Sequence, residues 1–168
     1  MTSEMSEIYV IRSATSHGLA KGQVGEESRS LEAKGHREKV ALGTHLIDII
    51  GQHPLEVRFA PANRTRLTAM GAIGLTYSSV SLQRDVDLTE TDPDRIRTYL
   101  ECIVKNDTSP IVLFTHLDVV QAMVYAICGE QLTEDDIPTA SITRIIGNDP
   151  LEIDYVGRSV EQLVAHAR

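Results

Sequence analysis

Arg12, Ser13, Thr15, Ser16, His17 and Gly18 follow directly on the apolar run Ile8, Tyr9, Val10, Ile11. A cation, three hydroxyls, an imidazole and a flexible residue, gathered where an apolar run stops, suit the binding of an anion. Two further residues share that setting: Arg64 comes just after the stretch Leu55 to Phe59, and His116 just after Ile111 to Phe114. Taken singly, each has an ordinary explanation. An isolated arginine is usually a surface residue, a histidine after a buried strand is often structural, and hydroxyls in a loop usually form turns. Their common placement carries more weight, because parallel strands bring their carboxyl ends to one edge, where open α/β sheets hold ligands. Two guanidiniums and one or two imidazoles meeting there would form a compact site for a doubly charged phosphoryl group, with forked donors on its oxygens.

The elements that must position these residues can be read from periodicity. Met1 to Glu7 reads as a polar, frayed tail and Ile8 to Ile11 as a strand buried on both faces; Leu19 to Ser30, rich in Gly, Ser and Glu without a period, reads as a loop. From Leu31 the spacing of Val40, Gly43, Leu46, Ile47 and Ile50 predicts a helix that Gly51 closes. Leu55 to Phe59 alternates like a short strand, and Pro61 suits the first turn of a helix running to about Leu75. Val80 to Leu82 reads as a third strand, and Leu88 to Asp94 as an acidic turn. The helix after it buries Ile96, Tyr99, Leu100, Ile103 and Val104, until Asn106 to Pro110 breaks it. Ile111 to Phe114 has the composition of a central strand; Val119, Val120, Met123, Val124 and Ile127 then make a helical stripe that Gly129 ends. Ala140 to Ile146 and Leu151 to Val156 read as a hairpin joined through Gly147 to Pro150, and Ser159 to His166 as a closing helix. Strands alternating with helices imply an α/β three-layer sandwich: a mainly parallel central sheet with helices on both faces. With no repeat or linker, the 168 residues are read as one domain.

Composition narrows the function classes. A formal charge of −8 argues against a broad nucleic-acid surface, while leaving room for a local arginine cluster around one phosphate. The amino terminus lacks a basic region and a long apolar core, and no apolar run approaches the roughly 20 residues of a membrane span, so a cytoplasmic protein is expected. Cys102 and Cys128 have no metal spacing and are read as buried reduced thiols. The six histidines, His17, His36, His45, His53, His116 and His166, are scattered without zinc-like pairing, so no metal and no cofactor are expected. Glu134, Asp135 and Asp136 form an acidic patch read as a solvated loop.

The order of these features resembles the histidine phosphatase (phosphoglycerate-mutase-like) superfamily, and within it the short bacterial phosphohistidine phosphatases. That family's first strand ends in Arg-His-Gly or Arg-His-Ala, where this chain has Ile11, Arg12, Ser13, Ala14. Its Leu-Thr-x-x-Gly ahead of a helix is similar to Leu31, Glu32, Ala33, Lys34, Gly35. Its Ser-Pro-x-x-Arg-x-x-x-Thr-Ala block is similar to Ala60, Pro61, Ala62, Asn63, Arg64, running on to Thr68 and Ala69. The strand-His block resembles Val112 to Leu117, and Thr139 to Ile142 the strand that follows it. The likeness runs from about Ile8 to Tyr155.

The resemblance implies a phosphoglycerate-mutase-like fold and assigns roles. Arg12, Arg64 and His116 would bind the phosphoryl oxygens, Glu90 and Asp92 stand where a proton donor is sought, and the position of the nucleophilic histidine is Ser13. Neutral imidazole is a competent nucleophile near pH 7, whereas a serine hydroxyl needs a base. Three functions stay open. One is a phosphate pocket that outlasts its chemistry, binding a phosphate-bearing small molecule or a phosphoprotein. Another is an active phosphomonoester or phosphohistidine phosphatase. It would use Ser13 with His116 as base, or a His17 swung into the site, unless Ser13 is an engineered replacement of a native histidine. The third is a scaffold or assembly protein with a vestigial pocket. The oligomeric state is not encoded in any motif.

Overall fold

Ile111–Thr115 is a strand without a single exposed residue, and the sheet is arranged around it. The computed structural model describes residues 5–17, 30–51, 56–74, 77, 80–106, 110–147 and 149–167. In chain order the elements are β1 (Ser6–Arg12), α1 (Ala33–Ile50), β2 (Glu56–Phe59), α2 (Asn63–Gly74), β3 (Leu82–Arg84), α3 (Pro93–Asn106), β4 (Ile111–Thr115), α4 (Leu117–Cys128), β5 (Ile142–Gly147), β6 (Glu152–Arg158) and α5 (Val160–Ala167). Single 3-10 turns occupy Val86–Thr89 and Glu134–Asp136.

The strands form one sheet of order β3-β2-β4-β1-β5-β6. β3, β2, β4 and β1 run parallel, and the β5–β6 hairpin adds two antiparallel strands to the β1 edge. Side chains alternate across β1 and β4, so two cores form. Tyr9, Ile11, Val112 and Phe114 pack with Leu42 and Leu46 of α1, Ala69, Ala72 and Ile73 of α2 and Val160 of α5. Ile8, Val10, Ile111 and Leu113 pack with Ile96, Leu100 and Ile103 of α3 and Val119, Val120 and Met123 of α4. This is the mainly parallel three-layer α/β sandwich expected from the alternation of elements.

Several local expectations need correction. Ser6 and Glu7 belong to β1 and Ser6 is buried, because β5 extends far enough to pair with both. Val40 is 49% exposed; Leu42 takes its place on the buried stripe of α1. Pro61 precedes α2, which starts at Asn63. The third strand is Leu82–Arg84 and not Val80 to Leu82, since Val57, Arg58 and Phe59 pair with those residues. Cys102 and Cys128 are free but exposed, because each lies off the apolar stripe of its helix. Residues 18–29, most of the stretch read as a loop, lie outside the described residues.

Candidate functional site

The parallel strands β1, β2 and β4 end side by side, with Arg12 in register with Thr115 and Phe59 with Phe114. Beyond those ends lies a cleft of about 740 Å³ whose walls include Arg12, Ser13, Thr15, Arg64, His116 and Thr139. Arg12, Ser13, Arg64 and His116, drawn from three separate stretches, are thus brought to one cavity.

Each is held by its own element. The Ser13 amide donates to the Thr115 carbonyl oxygen at 2.9 Å, and the residue is only 6% exposed. Arg64 stands in the first turn of α2. That turn is fixed by Thr65, whose hydroxyl donates to the carbonyls of Ala60 (2.5 Å) and Ala62 (2.8 Å). One turn later the Thr68 hydroxyl accepts the Ala14 amide at 3.1 Å and donates to the Arg64 carbonyl, joining α2 to the chain just after Ser13. His116 is the N-cap residue of α4 in an extended conformation. A guanidinium NH2 of Arg64 lies 2.9 Å from His116 Nδ1. Since a guanidinium can only donate, Nδ1 is the acceptor there and the ring proton belongs on Nε2.

The wall formed by Thr15 is built around Gly35. A Cβ at that position would stand 2.0 Å from the Thr15 carbonyl oxygen, so only glycine lets α1 approach this closely. Glu38, one turn along α1, accepts the amide of Thr15 at 3.2 Å and also its hydroxyl, which lies 3.0 Å from the Thr139 hydroxyl. Opposite, Thr89 lines the cleft from the turn Val86–Thr89, which Thr115 Oγ1 holds through the Leu88 carbonyl at 2.6 Å. Asp85 starts that turn and accepts from Arg58 (3.0 Å) and the Tyr99 hydroxyl (2.8 Å). Burial first, then the hydrogen bond to Asp85, pushes the Tyr99 phenol well above the usual tyrosine range.

Other expected residues fall elsewhere. His17 is outside the cleft lining, with its side chain 60% exposed and Nδ1 at 4.0 Å from Glu32 Oε1; its amide bonds the Ser30 carbonyl. Asp92 caps α3, accepting the amides of Asp94 (2.9 Å) and Arg95 (3.2 Å), while Glu90 accepts those of Thr91 and Asp92. Neither carboxylate lines the cleft; Asp118 and Glu134 do. Glu134, read from the sequence as part of a solvated patch, is exposed and also pairs with Arg12 at 2.9 Å. The partner lies 122 positions away, and only the spacing of Thr133 and Asp136, a capping box, marked this stretch as an ordered turn. Among the described residues no group of three or more His, Cys, Asp or Glu is placed to hold a metal ion, and no helix is long and apolar enough to cross a membrane.

No family model matches this sequence, and no curated protein does either. Solved structures do. A phosphoglycerate mutase from Bacillus anthracis superposes with a TM-score of 0.77 at 15% identity, covering 98% of this chain and 97% of its own. The protein histidine phosphatase SixA, complexed with tungstate, gives 0.73 at 17% identity over 94% of this chain and 99% of its own. A mycobacterial glucosyl-3-phosphoglycerate phosphatase gives 0.70 at 14% identity, over 92% and 100%. The chain therefore has a phosphoglycerate-mutase-like fold over nearly its whole length.

Proposed function

We propose that this protein binds the phosphoryl group of a phosphorylated small molecule or protein in the cleft, and that hydrolysis through a phosphorylated histidine is lost or weak. The observation that carries the reading is the composition of the cleft. Arg12, Arg64 and His116 stand together at the strand ends with Ser13 beside them, where the resemblance places a nucleophilic imidazole. One structural neighbour holds tungstate, a tetrahedral oxyanion, which fits an oxyanion role for such a cleft.

The alternative serine chemistry has less support. A base for Ser13 needs a free nitrogen lone pair, and Nδ1 of His116 is directed at Arg64 while Nε2 carries the proton. His17 stands outside the cleft with its backbone tied to Ser30.

Thermal melting with and without phosphate tests binding. At phosphate ten times its Kd, the wild type is expected to melt about 3–6 °C higher, and Arg64→Ala to lose that rise. Turnover of p-nitrophenyl phosphate is expected to be negligible. A melting temperature that phosphate leaves unchanged in both proteins removes the pocket, and rapid turnover by the wild type removes the loss of chemistry.

A further inference from the structure

We propose that Glu134 is a specificity-determining residue of the cleft, selecting phosphoryl ligands that carry a positive charge next to the phosphoryl group. This rests on the phosphate-binding reading above and names the class of ligand.

Arg12 is clamped at both of its terminal nitrogens by one short turn: NH1 donates to the Ile137 carbonyl oxygen at 2.6 Å and NH2 to Glu134 Oε1 at 2.9 Å. The arginine side chain is 13% exposed and the glutamate side chain 71%, so the carboxylate stands on the solvent side of a largely buried cation. A phosphoryl group approaching Arg12 from the cleft therefore meets a carboxylate beside it.

The turn that bears that carboxylate is held by construction. Thr133 and Asp136 form a reciprocal capping box around the turn, and Gln121 donates to the Leu132 carbonyl at 2.8 Å. On the other side Gly157, at φ +61°, lets β6 press so closely that a Cβ there would lie 1.9 Å from the Asp136 carbonyl oxygen. The turn that presents Glu134 is thus fixed by α4 on one side and β6 on the other.

Asp118 is a second carboxylate in the wall, and no lysine lines the cleft among the described residues. The site combines cationic Arg12 and Arg64 with an acidic rim, on a chain of formal charge −8. A ligand with a second anionic group is repelled at that rim. One with an ammonium or guanidinium beside its phosphoryl group gains a partner there while its oxygens take the guanidiniums.

Calorimetric titration of the wild type and Glu134→Gln with inorganic phosphate, O-phosphoethanolamine and 3-phosphoglycerate tests this. Glutamine keeps an acceptor for Arg12 and removes the charge, and unliganded melting of the two proteins checks that the exposed site tolerates it. The wild type is expected to prefer phosphoethanolamine over phosphoglycerate by about fivefold or more; Glu134→Gln is expected to bring the ratio towards one and to bind inorganic phosphate more tightly. Equal affinities in the wild type, or a preference that survives Glu134→Gln, overturns the role of Glu134 and leaves phosphate binding standing. Failure of both proteins to bind inorganic phosphate overturns the pocket, and this inference with it.

Discussion

Ser13 is held through its backbone, by the Thr115 carbonyl on one side and by Ala140, whose amide lies 3.4 Å from the Ser13 carbonyl, on the other. A substitution there changes the chemistry offered to the cleft more than the path of the chain. Ser13→His is accordingly expected to raise phosphatase turnover on p-nitrophenyl phosphate, by about a hundredfold or more over wild type. A variant that turns over no faster than the wild type would mean that a missing imidazole is not what limits the reaction. Ser141, two residues from Thr139 in the cleft wall, is 2% exposed, and its hydroxyl has no hydrogen-bond partner among the described residues. Ser141→Ala removes that unsatisfied group and is expected to stabilise the fold by about 1 kcal/mol, measured by denaturant unfolding; a loss of stability would reveal a partner for the hydroxyl. At this scale the sequence disclosed residues whose chemistry is intrinsic, such as Arg12, Arg64 and His116. It concealed Glu134, whose meaning comes only from the cation it faces.

At the scale of elements, legibility followed burial. β4 is buried throughout and the stripe of α4 is apolar at helical spacing, so both could be read directly. α2 is different: its buried face includes Thr65 and Thr68, whose hydroxyls are spent on backbone groups, so hydrophobic periodicity marks it weakly. Glycine positions were legible as a motif without a cause. Gly35 matched a pattern ahead of a helix, and its reason is the approach of α1 to Thr15. Gly35→Ala must push that contact apart, at a cost of about 1–3 kcal/mol in denaturant unfolding. Since Thr15 lines the cleft, phosphate should bind this variant more weakly as well. An unchanged unfolding midpoint would show that the helix can retreat without strain.

Across the whole molecule, buried tyrosines tie stability to alkaline pH. Burial raises the phenol of Tyr155 to about 12. It raises Tyr9 and Tyr99 further, helped by hydrogen bonds to Glu7 and Asp85. The groups are spread over β1, α3 and β6, so they report on the global fold and not on one corner of it. Up to about pH 10, the ordinary value in an unfolded chain, folded and unfolded states both hold these protons and stability is unaffected. Above it the unfolded chain releases protons that the folded chain keeps, so unfolding gains ground as pH rises through the interval up to the folded values. Each such phenol removes up to about 1.4 kcal/mol per pH unit there. Unfolding free energy measured by denaturant at pH 8 and pH 11 should fall between the two, and Tyr99→Phe, which cannot titrate, should show a shallower fall. The wild type should lose no stability from these groups between pH 7 and pH 9. Tyr99→Phe changes no other titratable group, so the difference between the two slopes isolates the buried phenol. Equal slopes would mean that the Tyr99 hydroxyl reaches water and ionises in the folded protein, and that the Asp85 cluster beneath the turn carrying Thr89 is looser than its geometry implies.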